Sequence, residues 1–388
     1  MKIIINGIGV AGPALAFWLA KSGHEVLLVE QAPQLRSGGY IVDFWGIGYD
    51  IVEKMGLIDE VRALGYQIRE VRFVDRNGRR KGGFDVGIFL KMTNGRFTSV
   101  RRSDISATIY RAIETEVETL FGDSVASIDD AGDRVCVGFD RAAPREADLV
   151  IGADGLHSRV RQLVFGESEF EVPLGYHVAA FEAAGYRARD ELVYISENLP
   201  GRQISRFSMR DDKTLFLFIF RDEYLPRDVD VKTALRRVFG GAGWEWPLID
   251  AEIDRATSIY FDTVSQIRMP RWTRGRVALV GDAGACVSLM AGEGTGLAIA
   301  EAYVLAGELQ ESGGDIAAAF ARYEQRLMPF LQRKQASAAK FASSFAPRTN
   351  FGIAFRNAVT RLMRIRFVAE FVGGDLRDDI VLPDYRLG

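Results

Sequence analysis

The chain opens on Lys2–Asn6 (KIIIN), a short apolar run without alternation, which reads as a parallel strand buried on both faces. Glycines follow at 7, 9 and 12, and the stretch from Pro13 to Ser22 predicts a helix that tolerates proline at its start. Gly23 ends it, and Glu25–Glu30 (EVLLVE) predicts a second buried strand, completing a β-α-β unit within 30 residues. The same signature returns at Asp148–Gly155 (DLVIGADG) and at Arg276–Val280, each time ahead of a glycine turn. Between these two, Arg202–Met209 and Leu215–Phe220 alternate, as antiparallel strands carrying aromatic residues do. Residues 68–84 predict a hairpin turning at Asn77-Gly78. A helix is expected after Arg102, and long helical sequence runs from about Gly294 to the end with an interruption near Pro347.

This order predicts an α/β fold in which a Rossmann-like domain is discontinuous. Its pieces are residues 1–67, 98–170 and 266–346, and an antiparallel β-sheet substrate domain, 68–97 and 171–265, is inserted between them. Residues 347–388 are expected to form a C-terminal helical segment. A length of 388 residues suits two cores.

Composition narrows the function classes. A net charge of −3 gives no global attraction to nucleic acid. No apolar run approaches the ~20 residues of a membrane span, and the first residues lack the layout of a signal peptide, so a cytoplasmic enzyme is expected. Cys136 and Cys286 lie far apart, and His24, His157 and His177 show no ligand spacing, so no metal site is expected. Charge is uneven: Arg322 to Arg366 holds ten Lys/Arg and one acid, Glu324. A helix around Phe351–Val368 would place Phe355, Val359, Leu362 and Met363 near one face, with Arg356, Arg361 and Arg364 elsewhere. Such a helix either packs across its own acidic body, the favoured reading, or lies on an acidic membrane surface.

Three glycine turns carry the chemistry. In Gly7-Ile8-Gly9-Val10-Ala11-Gly12, Gly7 permits the tight turn, Gly9 lets backbone approach a pyrophosphate, and Gly12 lets helix pack on strand. Val10 and Ala11 lie where the helix N-terminus faces the phosphates. Glu30 ends the second strand, placed to accept hydrogen bonds from ribose hydroxyls. Its charge would repel a 2′-phosphate, favouring FAD or NAD over NADP at this site. Asp154 and Asp282 each stand at the carboxyl end of a strand, where doubly wound sheets bind ligands. Behind Gly281-Asp282, Gly292 and Gly294-Thr295-Gly296 open a further helix.

With these motifs in this order, the chain resembles the class A flavoprotein monooxygenases, the para-hydroxybenzoate hydroxylase family, over essentially its full length. It is most similar to the branch of tetracycline-inactivating flavoenzymes. VRRSDI (Val100–Ile105) resembles the segment whose arginine lies against FAD, and RSGGYIVDFWG (Arg36–Gly46) the loop running past the flavin. The resemblance implies an FAD-binding domain in which Glu30 holds the adenosine ribose, Arg102 approaches the phosphate-ribityl region, Asp282 bonds the ribityl chain, and Gly292–Gly296 present amides to the flavin's pyrimidine edge. It implicates Asp154 in FAD packing and pyridine-nucleotide use. FAD is expected to be non-covalent, with NAD(P)H as a transient co-substrate, since no second glycine fingerprint exists.

The resemblance further implies a monooxygenase that hydroxylates an aromatic or polyketide-like small molecule through a flavin hydroperoxide. A reductase or dehydrogenase without oxygen insertion, and a non-enzymatic carrier of the same fold, are the alternatives. No protein acid-base pair stands out. Trp45, His177, Arg206, Phe218 and Met290 are candidates for the substrate face. The sequence departs from the family at Ala285, at Leu289 where a proline is usual, at Glu293 for glutamine, and at Trp45 for arginine.

Overall fold

The computed structural model describes residues 1–36, 38, 40–166, 170–225, 230–362 and 379–387. A six-stranded sheet runs in the order Thr273–Arg274, Val277–Leu279, Leu149–Gly152, Lys2–Asn6, Glu25–Glu30, Glu118–Phe121. All its neighbours are parallel except the first pair. Register explains why the glycine turns meet: Asn6 lies opposite Gly152 and Val29, and Gly152 opposite Leu279. Three strands therefore end level, and the loops that follow leave from one edge. Helices Ala11–Lys21 and Gly294–Glu311 pack together within the same apolar core.

The second sheet has seven strands, ordered Tyr260–Ile267, Glu171–Ala184, Lys213–Arg221, Arg202–Ser208, Val193–Leu199, Glu70–Val74, Arg80–Asp85. The expected hairpin supplies its last two strands. It is not purely antiparallel, because Val193–Leu199 runs parallel to Glu70–Val74. Helices Val231–Phe239 and Trp246–Arg255 contribute to the apolar cluster on one face, with Phe181, Phe216, Phe218 and Phe220. The other face presents Tyr176, Val178, Leu217 and Ile219 to Leu289 and Met290 of the third glycine loop. A ribbon of Ile41–Trp45 and Phe97–Arg101 lies beside them. A three-stranded sheet, Val125–Asp130, Val135–Phe139 and Arg145–Ala147, is an addition that the pattern did not predict.

The basic tail answers its own protein. Arg322 and Arg326 reach the buried Glu308 at 2.6 and 3.0 Å. Helix Asn350–Leu362 lies along Arg80–Asp85, with the Thr360 hydroxyl accepting from the Gly83 N–H at 3.3 Å. Arg356 sits 4.2 Å over the Phe73 ring and donates to Asn198 at 3.0 Å, and burial pulls its pKa down to about 10. The helix docks through Arg356, Asn357 and Thr360 rather than its apolar residues, leaving Phe351 and Phe355 exposed. Residues 379–387 are not helical; the Tyr385 ring packs against Gly307, where any side chain would collide with it. Met363, Arg364 and Val368 lie outside the described residues. Among the described residues no helix is long and apolar enough to cross a membrane, and no cluster of ligating side chains could hold a metal.

Candidate active site

The first turn needs its glycines for separable reasons. Gly7 has φ +112°, and a Cβ there would lie 2.4 Å from the Ala153 carbonyl oxygen. A Cβ on Gly12 would fall 2.0 Å from the Gly7 oxygen, so the helix could not seat on the turn. Gly9 is different: its Cβ position is open, with the Arg102 guanidinium 3.8 Å away. Val10 and Ala11 are buried at the start of the helix. Glu30 is also buried, and its carboxylate accepts from the Ile8 and Ala32 N–H groups, both at 2.9 Å, and from Arg36 at 3.1 Å. Glu30 thus pins the first turn to the second strand as well as standing at the strand's end.

Asp154 is used inside the protein. One oxygen accepts from Asn6 at 3.0 Å and from the Arg159 and Val160 N–H groups at 2.8 and 3.1 Å; the other bonds the Ser158 hydroxyl. The carboxylate ties the second turn to the first strand and the start of helix Arg159–Phe165, and its own backbone packs on Gly7.

The third loop bends at Gly281, whose φ of +64° lets it pack between Ala11 and Ala298. Its N–H donates at 2.8 Å to the buried Glu301, and burial pushes that carboxyl up to about 8. Asp282 follows, half-buried; the nearby Cys286 thiol donates to the Ser265 carbonyl at 3.6 Å, and burial raises its pKa. Arg102 is half-buried opposite the Gly9 turn; nearby Tyr40 and Asp282 favour its charged form, while no side-chain hydrogen bond engages it among the described residues. Gly292 (φ +69°) opens on empty space, and Gly294 faces Asp282 Oδ1. Thr295 is buried, and Gly296 serves helix packing: Gly48 of helix Gly46–Lys54 crosses it so closely that a Cβ on Gly48 would lie 2.3 Å from the Gly296 Cα.

Three of the five substrate-face candidates lie on the helix-covered side of their sheet. His177, Arg206 and Phe218 alternate with the residues of the inner face and project beneath the two covering helices. His177 stacks on Phe261 and bonds Asp222 at 3.0 Å, and burial lowers its pKa. Arg206 is 2 % exposed and held by Glu245 and Asp190, both at 2.7 Å. Phe218 is fully buried in that cluster. Met290 is packed on the inner face, and Trp45, half-buried, borders a small hollow with Asp43, Glu293 and Gly296. The inner face brings forward side chains the pattern did not single out: Tyr194, Ser196, Gln203 and Ser205 in its middle, between Leu217 and Phe73. A hollow of about 450 Å3 bordered by Tyr66, Arg189, Met209 and Arg210 contains none of the glycine-turn residues.

These residues fit FAD. Gly9 and Gly292 leave space against their backbones, Arg102 offers a cation beside the first turn with no side-chain hydrogen bond among the described residues, and Asp282 stands at the third. Comparison with known proteins agrees. Residues 1–333 match the family model described as FAD binding domain. A flavin-dependent monooxygenase of Legionella longbeachae is 33% identical over 368 residues, covering 89% of this chain and 90% of the relative. An uncharacterized protein of Mycobacterium tuberculosis is 38% identical over 349 residues, covering 86% and 91%. The crystal structure of the tetracycline destructase Tet(51) superposes with a TM-score of 0.84 at 31% identity, covering 99% of each chain. The chain belongs to the FAD-binding family of class A flavoprotein monooxygenases.

Proposed function

We propose that the protein is an NAD(P)H-dependent monooxygenase that hydroxylates an aromatic or polyketide-like small molecule held between the third glycine loop and the inner face of the seven-stranded sheet. The observation that carries this reading is the convergence of three glycine turns, Arg102 and Asp282 at one sheet edge, facing a surface that mixes apolar and hydroxyl side chains. The likeness to a tetracycline destructase supports an oxygen-rich polycyclic substrate. FAD, when bound, supplies the transfer of electrons from NAD(P)H to O2.

The protein's own residues have separate tasks in this reading. Glu30 accepts from the adenosine ribose, and Arg102 neutralises phosphate next to the Gly9 turn. Asp282 binds the ribityl chain. Amides from Gly292 to Gly296, at a helix N-terminus, stabilise negative charge on the ring. Leu289 and Met290 make an apolar wall that excludes water from the reacting atoms. Asp154 acts one step back, by fixing the turn that Gly7 begins. A cytoplasmic setting, with the pyridine nucleotide bound only transiently, completes the proposal.

Purified protein mixed with NADH or NADPH and a panel of phenolic and polyketide compounds tests it. Substrate-stimulated nucleotide oxidation together with a product one oxygen atom heavier is expected. Stimulated oxidation with only saturated or dehydrogenated products would replace the reading with a reductase.

A further inference from the structure

Helix Asn350–Leu362 turns its polar side inward and its apolar side outward. Asn357 and Thr360 are buried against the edge strand Arg80–Asp85, Asn357 beside Gly82 and Thr360 bonded to the Gly83 N–H. At about 100° per residue, Phe351, Phe355 and Ala358 fall on the opposite side of the helix, within about 60° of one another. All three are exposed, Phe351 at 81 % and Phe355 at 64 %, the highest values among the aromatic side chains described. A single exposed apolar residue is ordinary; two phenylalanines one turn apart, on a helix that has buried its polar residues instead, make a patch that calls for a partner.

Cations surround that patch. Residues 348–362 contain Arg348, Arg356 and Arg361 and no acid, and residues 75–81, the turn of the neighbouring hairpin, contain Arg76, Arg79, Arg80 and Lys81 with one acid, Asp75. The two stretches touch, because Arg361 donates to the Lys81 carbonyl at 2.6 Å. Arg80 and Lys81 pair with Glu70 and Asp75 at 2.9 and 3.1 Å, while Arg76, Arg79, Arg348 and Arg361 reach solvent. Together the two stretches carry +6 in a molecule whose net charge is −3, which leaves −9 for everything else. A charge distribution so divided turns this face towards a negative surface and the rest of the molecule away from it.

We propose that the outer face of helix Asn350–Leu362, together with the hairpin turn at 75–81, docks the protein reversibly onto membrane surfaces that carry anionic phospholipid. Phe351 and Phe355 enter the boundary between headgroups and acyl chains, and the arginines around them meet lipid phosphates. Each signal alone is weak: two phenyl rings bury too little surface to hold a protein, and a basic patch without them stays at the headgroups. Together they give the paired apolar and electrostatic attachment that surface binding needs. Charge argues against a second copy of the chain as the occupant. In a two-fold contact through this face, Arg348 and Arg361 would meet a helix with the same cations and no acid to receive them. The inner side of the same helix lies over Phe73 through Arg356, so docking brings that edge of the inner face next to the lipid. The inference does not depend on the reaction proposed above.

The test is co-sedimentation of the FAD-loaded full chain with vesicles of phosphatidylcholine, with and without phosphatidylglycerol. Binding is expected to the anionic vesicles only, and added salt should release the protein. Phe351→Ser combined with Phe355→Ser should lower the partition coefficient about tenfold or more, through the lost apolar burial, with FAD content and melting temperature unchanged. Arg79→Gln combined with Arg348→Gln should lower it about fivefold for each cation removed. If the phenylalanine variant loses FAD or melts early, the arginine variant decides. No binding of wild type to anionic vesicles at low salt overturns the proposal, as does binding by the phenylalanine variant, or by the arginine variant, equal to that of wild type. Equal binding to both kinds of vesicle overturns it too, because the basic rim would then have no part. A dimer of wild type, seen by sedimentation velocity and lost in the phenylalanine variant, would assign the face to a second copy instead and likewise overturn it.

Discussion

Glu301 gives a prediction with a sign and a size. Its carboxyl lies 2 % exposed under the Gly281–Asp282 bend, accepting from the Gly281 N–H at 2.8 Å and lying 3.3 Å from the Tyr323 hydroxyl. Burial, and to a smaller extent the charge of Asp282, push its pKa from 4.5 up to about 8. The folded protein therefore keeps a proton that the unfolded chain gives up at ordinary carboxyl pH. The unfolded state binds fewer protons through that window, so stability falls as pH rises from about 4.5 and levels off above about 8. At ~1.4 kcal/mol per pH unit, the loss across the window is on the order of 5 kcal/mol. Glu301→Gln keeps an acceptor oxygen for Gly281 and cannot ionise. It should melt close to wild type at pH 5 and several degrees higher at pH 8.5, measured by circular dichroism with excess FAD in both proteins. A difference in melting temperature that is the same at the two pH values would refute the reasoning, because it would arise from packing and not from the proton.

Gly12→Ala should abolish FAD binding, read as colourless protein after purification, because its Cβ would fall 2.0 Å from the Gly7 oxygen. Glu30→Ala should weaken FAD by ~1–3 kcal/mol in a fluorescence titration, the scale of a hydrogen bond to a charged group; an unchanged affinity would remove Glu30 from the ribose site. A chain ending at Pro347 should still bind FAD but turn over substrate more slowly, since the helix that covers Phe73 and Gly82 on the inner face is gone. Turnover equal to that of the full chain would show that this helix is not part of the chamber.

Much of the nucleotide-binding half was legible because its signals are local. Unalternating strands, a glycine with a steric reason at 7 and 12, and an acid at a strand end all lie within a few residues of one another. The seven-stranded sheet was harder for a physical reason. Leu215 to Phe220 is apolar at every position, and both faces of that strand are buried, one under helices and one against the glycine loop. Polarity then carries no information about which face a side chain occupies, and Phe218 lies on the helix-covered one. Arg206 differs: its own strand holds no acid, and its partners Asp190 and Glu245 come from outside that strand.

The structure of the protein crystallised with FAD tests the central claim most directly. The account predicts the pyrophosphate over the Gly9 turn within reach of Arg102, the ribityl chain on Asp282, and the ring between Gly292–Gly296 and the inner face that carries Tyr194 and Ser205. FAD bound elsewhere, or oriented with its ring away from Leu289 and Met290, would contradict it.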